Sequence, residues 1–279
     1  MARKQKKNRA ARRDAANVNN SDNKRSNRFA QQDKPTFRDV PVYERKPIKG
    51  LNPLQDTYIN SIRNRVITVA TGVAGSGKTF LPAQIAIDMY DDPSTKIEQI
   101  VLVRPNVALG PSIGFLKGDK LEKMRPWLVP LEGPIVERIG KGKYEWMIGA
   151  EKIDFLPVEY ARGRTFNNTF VIIDEAQNLG EEAMRALLTR IGRDCRVVVC
   201  GDVQQCDLEK GKRSGLAFMQ ELATEFEVPY SWVDFNSYEY CVRSDEVRFM
   251  LETFEAFDKW VEAGRPDEEP ITNENRGDH

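Results

Sequence analysis

Thr71-Gly72-Val73-Ala74-Gly75-Ser76-Gly77-Lys78-Thr79 fits the phosphate-loop pattern G-x-x-x-x-G-K-[ST] at every fixed position. A short pattern can arise by accident, so its flanks decide its meaning. Before it stands Val66-Ile67-Thr68-Val69-Ala70, a β-branched apolar run of the kind that forms a buried strand. After it, the chain up to Tyr90 reads mostly as a helix. Strand, glycine loop and helix are the order that phosphate binding requires. Glycines let successive backbone N–H groups turn inward around phosphate oxygens, and the helix N-terminus adds partial positive charge. The alternative is an ordinary glycine turn, which these flanks disfavour. The binding segment is then Gly72, Val73, Ala74, Gly75, Ser76, Gly77, Lys78, Thr79 and Phe80. Lys78 is placed to reach the β- and γ-phosphates, and Thr79 to put its hydroxyl on Mg²⁺.

The second chemical signal lies downstream. Phe170-Val171-Ile172-Ile173-Asp174-Glu175 reads as a buried strand ending in two carboxylates. Asp174 is expected in the Mg²⁺ shell. Glu175 is expected to polarise an attacking water as general base. Neighbouring residues at a strand end point in different directions, so the two acids can take different roles. A second acid favours hydrolysis over phosphate transfer to a small molecule. Arg196-Val197-Val198-Val199-Cys200-Gly201-Asp202 is a further strand and its end, after which Gln205 stands where a γ-phosphate sensor is needed.

Around these motifs the chain reads as α/β. A lead-in spaced by Pro35, Pro41, Pro47 and Pro53 precedes a short helix, about Leu54 to Ile62. On its first turn Gln55 offers an amide that can read an adenine edge, or can be an ordinary surface glutamine. Pro82 falls several residues after the loop, where only a first-turn position avoids losing an internal hydrogen bond. Strands are expected at Ile100–Val103, Ile153–Pro157 and Tyr230–Phe235. The loop from Arg104 through Gly118 leaves a strand end on the ligand-binding face of such sheets and carries Arg104 and Lys117. Asp119 and Glu122 read as a capping box. Helices are expected over Glu181–Ile191 and Ser214–Phe226. Ser244 opens a final helix whose apolar stripe, Val247, Met250, Phe254, Phe257 and Val261, reads as core. Gly264 and Pro266 end it.

Composition sets further limits. The chain has 279 residues, with 42 Lys and Arg against 42 Asp and Glu. The first 28 residues hold ten of the basic residues against Asp14 and Asp22, about +8, so the remainder carries about −8. Residues 1–34 are too polar to fold alone and read as a disordered basic arm. Its run from Arg3 to Arg13 could contact nucleic-acid phosphates or simply solubilise the chain, and it lacks aromatics for base stacking. Residues 265–279 read as a flexible acidic tail, which leaves 35–264 as the folded domain. No apolar run approaches the roughly 18 residues of a membrane span, and no signal-peptide core is present, so a cytoplasmic location is expected. The four cysteines, Cys195, Cys200, Cys206 and Cys241, form no C-x-x-C pair, and the one histidine is His279. This argues against a Cys/His zinc site and against His-based nucleophilic catalysis.

The motifs together resemble the PhoH-like ATPases, relatives of the superfamily-1 helicase core. The passage carrying most of the resemblance runs from Arg162-Gly163-Arg164-Thr165-Phe166-Asn167-Asn168 to Asp174-Glu175-Ala176-Gln177-Asn178. Arg104-Pro105, Gly114-Phe115-Leu116, Leu188-Thr189-Arg190, Gly201-Asp202 with Gln205, Val242-Arg243, and Gln55 with Tyr58 add to it. It covers about residues 45–260. Lys117 and Glu209 stand where proline is frequent in that family, and Pro82 where alanine is usual. The resemblance implies a RecA-like P-loop NTPase fold, a mostly parallel β-sheet with helices on both faces. It also implies ATP and Mg²⁺ as ligands, ATP hydrolysis, and a ring-shaped homo-oligomer such as a hexamer. RNA or single-stranded nucleic acid is the implied partner, with helicase-like remodelling. Arg243 becomes a candidate arginine finger or sensor, with Arg190, Arg104 and Arg164 behind it. Two rivals stay open: a nucleotide-gated binding protein with little turnover, and a small-molecule kinase, which the Gln177 and Gln205 context disfavours.

Overall fold

The computed structural model describes residues 45–105 and 120–264, apart from positions 162, 204, 209 and 210. The capping box at Asp119 and Glu122, the loop residue Lys117, the basic arm and the acidic tail lie outside the described residues or side chains.

Six apolar runs form one sheet: β1 (Ile67–Gly72), β2 (Gln99–Arg104), β3 (Ile153–Pro157), β4 (Thr169–Ile173), β5 (Arg196–Cys200) and β6 (Tyr230–Phe235). Their order is β3-β2-β4-β5-β1-β6, and every pairing is parallel. Parallel neighbours need crossover connections, and the helices supply them on both faces. The runs are buried almost end to end because both faces are covered, as in β4, where all five residues are buried.

The period of two sorts the side chains between two cores. Ile100 and Leu102 of β2 enter one, Val101 and Val103 the other. The first core is covered by α1 (Pro53–Asn64), α2 (Phe80–Asp91), α3 (Lys120–Ile139) and α4 (Lys141–Gly149). The second is covered by α5 (Val158–Ala161), α6 (Glu181–Leu188) and α7 (Gly215–Glu225). The lead-in is fastened to the first layer through charge. Arg45 and Arg138 both reach Asp88, and Arg45 and Lys143 both reach Asp91.

The last helix, α8 (Asp245–Glu262), departs from the sequence reading. None of its side chains is buried, and Met250, Phe254 and Phe257 are 46%, 55% and 56% exposed. Its stripe is therefore a surface face and not core. Helical periodicity reports that one face is apolar. It does not report what covers that face. Ser244 does occupy the N-cap position, but its side chain makes no capping bond to the helix. At the other end Gly264 takes φ +81°, the left-handed conformation of a helix stop.

Candidate nucleotide site

Parallel strands deliver all their C-terminal ends to one edge of the sheet, so β1, β2, β4, β5 and β6 feed a single cleft. The cleft encloses about 1130 Å³, and its wall includes Gln55, Lys78, Thr79, Asp174, Glu175, Gln205 and Arg243. Residues far apart in sequence are thus gathered on one wall.

The loop owes its shape to glycine. Gly72 takes φ +110°, and a Cβ there would lie 2.1 Å from the Phe235 carbonyl oxygen. Gly77 takes φ +90°, with a Cβ placed 3.0 Å from Gln55 Nε2. Val73 N donates to Phe235 O (2.9 Å), which ties the loop's start to the end of β6. Lys78 Nζ lies folded into the loop, donating to the carbonyls of Gly72 and Val73 at 2.6 Å each. Burial pushes the Lys78 ammonium below its ordinary range, and Asp202, Cys200, Asp174 and Glu175 oppose that shift.

One strand, β5, lies between β1 and β4. Across that gap Thr79 Oγ1 donates to Asp174 Oδ1 at 2.8 Å. Asp174 is 6% exposed, and its burial pushes the carboxyl above its ordinary range, against the pull of Arg104 and the Thr79 hydrogen bond. A hydroxyl and a carboxylate sharing one spot form a hard oxygen set, which suits a small divalent cation. No group of three or more His, Cys, Asp or Glu able to hold a metal occurs among the described residues. A cation there would need oxygens from its ligand as well as the protein.

Glu175 caps the turn after β4 in the left-handed region, φ +53° and ψ +40°. Such a conformation is rare for a residue with a side chain. Its carboxylate is held from two sides: Arg104 Nη2 stands 3.5 Å from Oε1, and Gln177 Nε2 donates to Oε2 at 2.7 Å. The Gln177 side-chain oxygen accepts from Asp202 N at 3.1 Å. Gln177, 1% exposed, thus links the acid after β4 to the turn after β5. Gln205 Nε2 donates to Asp202 Oδ2 at 2.9 Å, with its side chain on the cleft. The sequence reading treats Gln177 only as context. Its place two residues beyond Glu175, across a tight turn, is the signal that could have found it.

The arginines separate clearly. Arg243 follows β6 and packs over the loop, its Cγ and Cδ each 3.1 Å from an ideal Cβ on Gly75. Arg104 leaves β2 and lies on both acids, 3.4 Å from Asp174 Oδ2 and 3.5 Å from Glu175 Oε1. Arg164 is carried elsewhere. It bonds Gln99 and Asp154, near the starts of β2 and β3 and so at the opposite sheet edge. Arg190 is off the cleft wall, on the surface beside Thr189.

Gln55 has an unforeseen setting. Its Nε2 donates to Ser76 O (2.9 Å) and its Oε1 accepts from Leu51 N (2.8 Å). The amide expected to face a base therefore joins the lead-in to the phosphate loop, with one N–H and one lone pair to spare. Pro82 is the third residue of α2 by its bounds, but Leu81 N already donates to Gly77 O and Ala83 N to Thr79 O, so the proline does remove one bond of the helical ladder.

This parallel sheet, its glycine loop and its acid-tipped strand define a RecA-like P-loop NTPase fold. A model of the family described as PhoH-like protein matches residues 47–255, more than half of the chain. The chain belongs to the PhoH-like protein family. It is 38% identical to Protein PhoH of Escherichia coli (strain K12) over 200 residues, 71% of this chain and 55% of that protein. It is 38% identical to the PhoH-like protein of Bacillus subtilis (strain 168) over 168 residues, 60% of this chain and 52% of that one. The chain thus spans about half the length of these relatives. Among solved structures, Pif1 helicase from Candida albicans is similar at 18% identity and a TM-score of 0.38, over 78% of this chain and 48% of that one. The large terminase of a thermophilic bacteriophage is similar at 9% identity and a TM-score of 0.43, over 75% and 50%. Among the described residues no helix is long and apolar enough to cross a membrane.

Proposed function

We propose that the chain binds ATP with Mg²⁺ and hydrolyses it, and that turnover is coupled to RNA or single-stranded nucleic acid. The observation that carries the reading is the 2.8 Å contact of Thr79 with Asp174, made on the same cleft wall as Lys78 and Glu175. In this reading Lys78 leaves its carbonyl partners for the β- and γ-phosphates. Thr79 and Asp174 hold Mg²⁺, whose role when bound is to neutralise developing phosphate charge. Glu175 accepts the proton of the attacking water, Gln205 senses the γ-phosphate, and Arg243 reaches the phosphates from the same chain. The nucleic-acid partner rests on the family resemblance and on the basic run from Arg3 to Arg13. A cytoplasmic ring of several copies is the expected setting.

One observation favours a second reading, a nucleotide-gated binder with little turnover. Both oxygens of Glu175 are already engaged, by Arg104 and Gln177. Steady-state ATP hydrolysis with and without single-stranded RNA, in wild type, Lys78→Ala and Glu175→Gln, separates the two. RNA-stimulated turnover lost in both variants supports the motor. Tight ATP binding without turnover at any protein concentration supports the binder.

A further inference from the structure

Helix α2 has a gap in its hydrogen-bond ladder, and two residues from elsewhere fill it. Leu81 N donates to Gly77 O (3.0 Å) and Ala83 N donates to Thr79 O (3.3 Å), so the four-residue ladder runs on both sides of position 82. Pro82 has no N–H, so the carbonyl of Lys78 between them has no helical donor. A buried carbonyl left alone is costly, because it has given up water for no partner. It is not alone. Tyr58 Oη donates to Lys78 O at 2.7 Å, and Cys200 Sγ lies 3.0 Å from the same oxygen. Both donors are deeply buried, at 0% and 1% exposure. Burial, first of all, holds the Tyr58 hydroxyl and the Cys200 thiol above their ordinary ranges, so both keep their protons.

This carbonyl matters because a trans peptide is rigid. Its C=O and the following N–H point in opposite directions. Pinning Lys78 O outward toward Tyr58 and Cys200 therefore aims the Thr79 N–H toward the phosphate side. Gln55 does the same two loop residues earlier, holding Ser76 O and so aiming the Gly77 N–H. Gln55 and Tyr58 are three apart on α1, one helical turn, so one face of α1 presents both donors.

We propose that Tyr58, assisted by Cys200, is a positioning residue for the phosphate loop: it takes over the Lys78 carbonyl that Pro82 leaves without a helical donor, and thereby orients the Thr79 N–H. This rests on the reading of residues 72–79 as a phosphate site, which the test below can fail separately.

The test is a double-mutant cycle in the full chain between Tyr58→Phe and Pro82→Ala. Phenylalanine keeps the ring, which packs edge-on against Phe235 at 5.7 Å. Alanine restores an N–H at the ladder position that faces Lys78 O. The readouts are the dissociation constant for ATPγS and the urea midpoint of the free protein. Tyr58→Phe is expected to weaken ATPγS about tenfold. Pro82→Ala alone is expected to stay within about twofold. The double variant is expected to return to within about twofold of wild type, because the helix now supplies the missing donor. A merely structural tyrosine gives no such rescue by a backbone N–H. Tyr58→Phe at wild-type affinity, or a double variant as weak as Tyr58→Phe, overturns the proposal. If wild type binds no ATPγS, the phosphate reading falls. Rescue of the urea midpoint would then still support the carbonyl exchange, and no rescue would overturn that too.

Discussion

Arg104 stands between the two acids of the cleft, its Nε 3.4 Å from Asp174 Oδ2 and its Nη2 3.5 Å from Glu175 Oε1. Asp174 is the more deeply buried of the two, so it depends more on a cation nearby. Arg104→Met should lower stability by about 1–3 kcal/mol in urea unfolding. Millimolar Mg²⁺ should recover part of that loss and should stabilise the variant more than wild type. Equal Mg²⁺ effects on both proteins would show that the guanidinium does not stand in the cation's place.

Gly72 is the loop position with least room. The Phe235 carbonyl that a Cβ would strike, at 2.1 Å, belongs to a strand and cannot swing aside as a side chain can. Gly72→Ala should destabilise the fold on the order of 3 kcal/mol or more, counting the strained positive φ. A melting temperature within a few degrees of wild type would contradict this packing.

Much of this was legible in the chain itself, for a physical reason. Strands buried on both faces must be apolar throughout, so Phe170–Ile173 and Val197–Cys200 announce themselves. Phosphate chemistry demands fixed spacings, so Lys78, Thr79 and Asp174 could be named before their meeting was seen. What stayed hidden depends on contacts across the fold. Arg164 and Arg104 look alike in sequence, yet strand topology sends them to opposite edges. Gln55 reads in sequence as a base reader or an ordinary surface glutamine, and its place between Leu51 N and Ser76 O shows only in the fold. Helix α4 follows α3 after a break at Gly140, φ +77°, and its apolar periodicity is too weak to stand out in the sequence.

The stripe on α8 gives a contrast between two phenylalanines. Phe254 is 55% exposed, whereas Phe170 is fully buried. Phe254→Ser should change the urea unfolding free energy by no more than about 0.5 kcal/mol. Phe170→Ala should cost about 3–5 kcal/mol. A large loss at Phe254 would mean that this face is covered in solution.

Cys195 should make the protein sensitive to alkali. Burial, opposed by a backbone hydrogen bond at Gly192 and the charge of Arg196, pushes its thiol from an ordinary 9.0 to about 11. Between these values the unfolded chain has released a proton that the folded chain keeps. Stability therefore falls as pH rises. The contribution is complete below about pH 9 and gone above about 11, and amounts to about 3 kcal/mol. Urea midpoints measured from pH 8 to 11 should fall less steeply in Cys195→Ala than in wild type. Parallel slopes would rule out this thiol as a source of the loss.

The strap between β6 and α8 is stitched to the phosphate loop: Val242 N donates to Gly75 O at 3.1 Å, and Asp245 begins α8 three residues later. Gly75 therefore helps to fix where an eighteen-residue rod begins, one that buries none of its own side chains. At about 1.5 Å of rise per residue that rod is roughly 27 Å long. One backbone bond thus places the start of a long, unburied helix beside the phosphate loop.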